Sequence, residues 1–235
     1  MMKAAILLAT YNKLECLPNT FYSIKRQKTS FPVEVCIVDD QSDFPGPERF
    51  VQFFLPDAKY KRLEKHVGTQ FSQSKCLELI SDDTDIVIIQ SCDVMYLQDD
   101  LIEKLCEGVT DGKFAMTGVK NVSVPIDYWR DRETGIQQLN QEYESTQGIN
   151  IYSGTGRPSR DWLLFLGAMT VNDAYKIDFD FRCCDVVVQQ RIREEGLQPI
   201  FRDDLHTIHQ LHPPAHRWPC SIVDSCEYWC SRKGV

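Results

Sequence analysis

The chain has 235 residues, 43% of them hydrophobic and 26% charged, which suits one full-sized domain and excludes the fibrous and disordered classes. A formal net charge of -8 gives no reason to expect a broad basic surface for nucleic acid or acidic lipid. Ten cysteines, an N-terminal apolar core too short for a signal peptide, and no stretch long enough to cross a bilayer predict a cytoplasmic protein with most thiols reduced.

In chain order, Ala4 to Ala9 is a short apolar run ending in the polar loop Thr10-Tyr11-Asn12-Lys13, the pattern of a buried strand. Leu14, Leu17, Phe21 and Ile24 then recur at helical spacing, with Pro18 tolerated near the first turn. A second strand, Val33 to Val38, stops at Asp39-Asp40-Gln41-Ser42-Asp43, so two strands deliver polar loops on one side. Pro45-Gly46-Pro47 marks a turn, Glu48 to Phe54 a short helix begun by Pro47, and Lys59 to Leu63 a third, more exposed strand. His66-Val67-Gly68-Thr69 is a turn into a helix whose Phe71, Cys76, Leu79 and Ile80 are expected to face the core.

The segment from Asp85 to Asp93 is the most informative. Four consecutive β-branched residues, Ile86, Val87, Ile88 and Ile89, fit a strand covered on both faces, as in the parallel part of an α/β sheet. The run then ends at Asp93. Ligands of open α/β sheets sit beyond the carboxyl ends of the strands, and a carboxylate there with a divalent cation is one way to hold a diphosphate. Asp99-Asp100 reads as a helix cap, with Leu101, Ile102 and Leu105 turned inward. Lys113 to Lys120 reads as another strand. From Val124 to Ser159 periodicity is lost, and a long irregular insertion of this kind is usually a functional loop or lid. Asp161 to Gly167 returns to a strand pattern, Cys184-Asp185 precedes a helix from Val186 to Glu195 ended by Gly196, and Pro199 to Arg202 is a last strand. The tail carries His206, His209, His212 and His216, then Cys220, Cys226 and Cys230, whose spacings match no compact zinc pattern.

Several ordered pieces together resemble the nucleotide-sugar glycosyltransferases of family 2, whose fold is called GT-A. Leu8-Ala9-Thr10-Tyr11-Asn12-Lys13 is similar to the family's opening strand and T-Y-N loop. Thr20, Ser23, Ile24 and Gln27 resemble its first helix, and Val38-Asp39-Asp40-Gln41-Ser42 its V-D-D-x-S. Ser91-Cys92-Asp93 falls on the D-x-D metal motif with Ser91 in place of the first acid. Gln73 and Ser74 stand where an arginine and an asparagine are common. Gly167-Ala168-Met169 resembles the loop bordering the acceptor, and Cys184-Asp185 the E-D pair at a helix start.

The resemblance implies an α/β GT-A fold, Rossmann-like, with a mixed, mainly parallel sheet flanked by helices in a single domain over residues 1–235. A donor-binding half would span 1–120 and an acceptor and catalytic half 121–235, including the insertion at 124–159. It implies that Thr10, Tyr11, Asn12, Asp40, Gly68, Ser91 and Cys92 line the nucleotide site, with the Tyr11 ring against the base and Asp40 accepting from a base N–H. Asp39 could instead shape its loop. Asp93 and His209, with His212 as second choice, are implied as ligands of a divalent metal, Mn²⁺ favoured and Mg²⁺ possible. Asp185 is implied as the general base of an inverting transfer from a nucleotide-sugar, UDP-linked by preference, to a hydroxyl. The acceptor is left open among glycan, lipid-linked, protein and modified-base hydroxyls. Two alternatives remain: a non-catalytic nucleotide-sugar-binding or scaffold domain, and a nucleotidyltransferase.

Overall fold

Strand β1 (Ala4–Thr10) is buried at every residue, because it is paired on both edges and covered on both faces. Its partners are β2 (Val33–Asp39) and β4 (Ile86–Ser91), both parallel to it, in registers that set Thr10 beside Asp39 and Ala9 beside Ser91. The computed structural model describes residues 1–44, 46–117, 120–122, 166–177 and 191–210, with residues 135, 137–139 and 141 between them. Within these, β3 (Lys59–Arg62), β6 (Lys113–Met116), β8 (Leu166–Thr170) and β9 (Gln198–Phe201) complete a seven-stranded sheet of order β3-β2-β1-β4-β8-β6-β9. Only the pairings of β8 with β4 and with β6 are antiparallel. A second sheet of three strands runs β5 (Val94–Tyr96), β10 (Thr207–Gln210), β7 (Lys120–Val122).

The period-2 alternation of the central strands sorts their side chains into two layers. Ala4, Ile6, Leu8, Ile86 and Ile88 join one core with Leu17, Phe21 and Ile24 of α1 (Leu17–Lys25), Val51 and Phe54 of α2 (Gly46–Phe54), and Leu101 and Leu105 of α4 (Leu101–Cys106). Ala5, Leu7, Val87 and Ile89 join the other, with Cys76 and Leu77 of α3 (Thr69–Leu77) and Ala174 and Ile177 of α5 (Val171–Ile177). The four β-branched residues of β4 are thus apolar on both faces because both faces are covered.

Several expectations are corrected. Lys113 to Lys120 is not one strand: β6 ends at Met116, and Lys120 opens β7 in the other sheet. Gly167-Ala168-Met169, expected in a loop, lies inside β8, with Ala168 opposite Ile88 and Met169 opposite Val87. Helix α3 ends at Leu77, so Leu79 and Ile80 pack from beyond it and are only partly buried. Asp100 occupies the N-cap position of α4 but makes no capping hydrogen bond; it pairs with Lys104 at 2.8 Å. Asp99 pairs instead with Arg26 and Lys28, which follow α1. Residues 161–165 and 178–190 lie outside the described residues.

Beneath the sheet's amino edge, Glu34 ties three segments together. Its carboxylate accepts from the Ser81 amide at 2.8 Å, the Thr84 hydroxyl at 2.7 Å and the Ser81 hydroxyl at 2.8 Å, and faces Lys59 Nζ at 2.8 Å. Burial pushes the carboxyl up, but Lys59 and the hydrogen bonds outweigh it and hold it at about 2, against an ordinary 4.5. A depressed folded-state pKa gives stability that is present above the unfolded value and is lost as pH falls toward the folded one. Glu34→Gln should therefore cost about 1–3 kcal/mol at neutral pH. Denaturant titrations at stepped pH should show the gap between variant and parent closing between about 4.5 and about 2.

Candidate active site

The chain passes from β1 to β2 and β3 on one side, then crosses to β4 on the other side of β1. Loops leaving β1 and β4 therefore diverge at a topological switch point, where an open α/β sheet has its crevice. The loop after β1 carries Tyr11, Asn12 and Lys13. Asn12 adopts a left-handed φ of 51°, which asparagine tolerates. Its side-chain amide donates to Asp43 Oδ2 at 2.9 Å and its oxygen accepts from the Asp43 N–H at 2.8 Å. The Lys13 carbonyl accepts from the amides of Cys16 and Leu17, which fixes its backbone at the start of α1. Its side chain crosses the crevice to Asp93 Oδ2, 3.4 Å away.

The acids after β2 are largely spent on the loops themselves. Asp39 is fully buried, accepts from the Ser42 amide at 2.9 Å and from the Tyr60 hydroxyl at 3.1 Å, and so shapes the turn. Asp40, 1% exposed, accepts from the amides of Val67 at 2.7 Å and Gly68 at 2.8 Å and lies 2.8 Å from His66 Nδ1. Burial raises its pKa, and the two amides with His66 partly offset the rise. A carboxylate has about four lone-pair sites, so at most one is left for a base N–H. Gly68 holds φ 98°, a left-handed value that favours glycine, while its carbonyl accepts from the Ser72 amide at 3.0 Å. His66 stacks on Tyr11 with ring centroids 4.2 Å apart at 27°. Tyr11 is therefore already half of an aromatic pair.

On the β4 side, Asp93 is 8% exposed and its Oδ2 lies 3.4 Å from His209 Nε2. The two candidate metal ligands are thus brought together, His209 being delivered by β10, which pairs antiparallel with β5 directly after Asp93. Among the described residues no group of three or more His, Cys, Asp and Glu is arranged to hold a metal. The Cys92 side chain, expected at the nucleotide, instead packs in the core, where burial raises its thiol pKa. Its carbonyl accepts from the Thr20 hydroxyl at 2.8 Å. Gln210 completes the support: its backbone amide donates to the Asp93 carbonyl at 2.9 Å. Its side-chain amide donates to Thr20 Oγ1 at 3.1 Å and to the Cys16 and Asp93 carbonyls at 3.3 Å, while its oxygen accepts from Asn19 at 2.8 Å. Thr10 is buried at the end of β1 and Ser91 is half-buried at the end of β4. Gln73, 4% exposed on α3, has an Oε1 with no hydrogen-bond partner among the described residues.

Asp185, Cys184, His212, His216, the three tail cysteines and nearly all of the insertion at 124–159 lie outside the described residues. Three residues at the crevice escaped sequence reasoning as site residues. Lys13 stood next to the T-Y-N loop, which was its only signal; His66 and Gln210 gave none, because their roles depend on contacts between distant loops.

The family model for glycosyl transferase family 2 matches residues 5–165, more than half of the chain. The chain belongs to glycosyl transferase family 2. This family 2 chain is similar in fold to the crystal structure of S. aureus TarS, with a TM-score of 0.60 at 14% identity over 92% of this chain and 38% of that one. It is also similar to S. aureus TarS 1-349 in complex with UDP, with a TM-score of 0.59 at 14% identity over 91% of this chain and 62% of that one. The same fragment in complex with UDP-GlcNAc gives a TM-score of 0.58 at 13% identity over 92% of this chain and 60% of that one. This chain therefore spans less than two thirds of each of those chains. No curated protein matches it. None of the helices among the described residues is long and apolar enough to cross a membrane.

The Gln210 network supplies a test of how the Asp93 turn is held. Replacing Gln210 by Leu removes the acceptor of Asn19 and the donor to Thr20, two buried groups, and should cost about 2–4 kcal/mol in urea denaturation. A loss under 0.5 kcal/mol, a size ordinary for substitutions away from such features, would show that the network is dispensable.

Proposed function

We propose that this family 2 member transfers a sugar from a nucleoside-diphosphate donor, UDP-linked by preference, to an acceptor hydroxyl. The observation that carries the reading is the crevice between β1 and β4, where Lys13, Asp93 and His209 converge in a family 2 chain. The UDP and UDP-GlcNAc complexes of S. aureus TarS, similar in fold, favour uridine. The base would lie against the Tyr11 and His66 rings, since a π-face stacks on any base. Thr10, Asn12, Gly68 and the backbone of Ser91 and Cys92 would line the pocket. Asp40 would act mainly by holding the 66–68 turn.

The residues present fit a divalent cation. Neighbouring octahedral ligands about 2.1–2.2 Å from one ion stand about 3 Å apart, so the Asp93 and His209 atoms at 3.4 Å need close by only a few tenths of an ångström. One carboxylate oxygen with one imidazole nitrogen suits Mn²⁺ better than Mg²⁺. With two protein ligands, the remaining positions would fall to water and donor phosphate, so cation and donor should bind together. When bound, the cation would offset the charge of the departing diphosphate. Asp185 would take the proton from the acceptor hydroxyl as its oxygen attacks the anomeric carbon, inverting that centre. The segment 124–159 would shape the choice of acceptor.

A thermal-denaturation panel of nucleotides and nucleotide sugars, with and without Mn²⁺, tests the donor site. Ligand at a hundredfold excess over Kd stabilises by about 2.7 kcal/mol, a Tm rise on the order of 5–10 °C here. The rise should be larger with Mn²⁺, and its Mn²⁺-dependent part should vanish in Asp93→Ala. A flat response to every nucleotide overturns the reading. In transfer assays Asp185→Asn should lower kcat by about 10²–10⁴-fold with donor binding unchanged; normal transfer by a folded variant removes Asp185 from the mechanism.

A further inference from the structure

Lys13 has no part in the reading above beyond its place in the crevice, and its geometry asks for one. Its backbone is fixed by the two amides that open α1, so its reach into the crevice is that of its side chain. That side chain, 18% exposed, reaches from the β1 loop to the mostly buried Asp93 on the β4 loop, across the switch point itself. A closed ammonium–carboxylate pair draws in to about 2.7–2.9 Å. Here Lys13 Nζ and His209 Nε2 both stand 3.4 Å from the same oxygen, Asp93 Oδ2. An ammonium and an imidazole thus flank one carboxylate oxygen at the switch point.

The charges at this point favour one kind of ligand. With Ser91 neutral, Asp93 is the sole acid of the Ser91-Cys92-Asp93 turn, and Lys13 cancels it, leaving the floor near zero. Adding a divalent cation brings the floor to +2, against +1 if Lys13 were absent. A group carrying two negative charges is the matching ligand. We infer that Lys13 binds the donor's diphosphate directly, as a second cationic contact beside the metal site. The inference rests on the donor reading given under Proposed function. A lysine suits the task because its ammonium is a point charge with three donors on a four-carbon stem, able to move from carboxylate to phosphate without a fixed plane. Lys13 is then a specificity residue for diphosphate over the bare nucleoside.

The test is calorimetric binding of UDP and of uridine to the parent, Lys13→Met and Lys13→Arg, in Mn²⁺ and again in chelator. Lys13→Met should weaken UDP by about 10–100-fold while leaving uridine unchanged, and Lys13→Arg should recover most of the loss. The parent should still prefer UDP over uridine in chelator, and Lys13→Met should not. If the methionine variant keeps the parent's preference for UDP, or loses UDP and uridine equally, Lys13 is not a phosphate contact and the inference falls while the donor reading stands. If chelator alone abolishes the parent's preference, the cation reads the diphosphate by itself, which also overturns it. A parent that binds neither ligand brings down the donor reading and this inference together. Matched thermal midpoints of the three proteins without ligand exclude misfolding as the cause.

Discussion

Strand β1 is hydrogen-bonded along its length to β2 on one edge and to β4 on the other, and the crevice exists because the chain leaves those two partners in opposite directions. All seven residues of β1 are buried, so the strand cannot slide without disturbing two apolar layers at once. A one-residue slip would exchange Ile6 and Leu8 for Ala5 and Leu7 across the sheet. Tyr11 and Lys13 follow β1 directly, and Asp93 follows β4 by two residues. Their separation is therefore set by a strand register fixed well inside the molecule.

Acids adjacent in sequence have been given different work by their surroundings. Asp39 and Asp40 lie at the same strand end, yet the first closes its own turn and the second anchors the turn before α3. Asp93 is also mostly buried, but it is held through its backbone, by Gln210 and through Cys92 by Thr20, which leaves its carboxylate oriented toward Lys13 and His209. Support through the main chain is what positions this carboxylate between the two loops. The small second sheet serves the same end, since β10 brings His209 and Gln210 to the Asp93 turn from more than a hundred residues away.

The central strands were legible in the sequence for a simple reason. Runs such as Ile86 to Ile89 or Ala4 to Ala9 are apolar on both faces, and that pattern has few explanations other than a covered strand. Polar termination of the same runs marked the strand ends and hence the crevice. Strands β5 and β10 were not legible, because three or four residues such as Thr207 to Gln210 form a strand only through a partner supplied elsewhere. The split of Lys113 to Lys120 between two sheets was hidden for the same reason. His66 illustrates a second limit: its ring matters through Tyr11 and Asp40, residues 55 and 26 positions away, and local spacing carries no trace of either contact. Asp99 and Asp100 show a third, where a helix-start acid found lysine and arginine partners more favourable than the helix amides.

The five cysteines that the described residues contain are all free and buried. Burial pushes the thiols of Cys16, Cys36 and Cys106 up to about 12, so little thiolate is present to meet an alkylating reagent while the fold is closed. Cys92 and Cys106 lie in one apolar layer, and Cys36 and Cys76 in the other. The protein therefore carries its own paired reporters of breathing. The order in which these thiols become labelled under mild destabilisation will say which side of the central sheet loosens first, without any probe having been added to the chain.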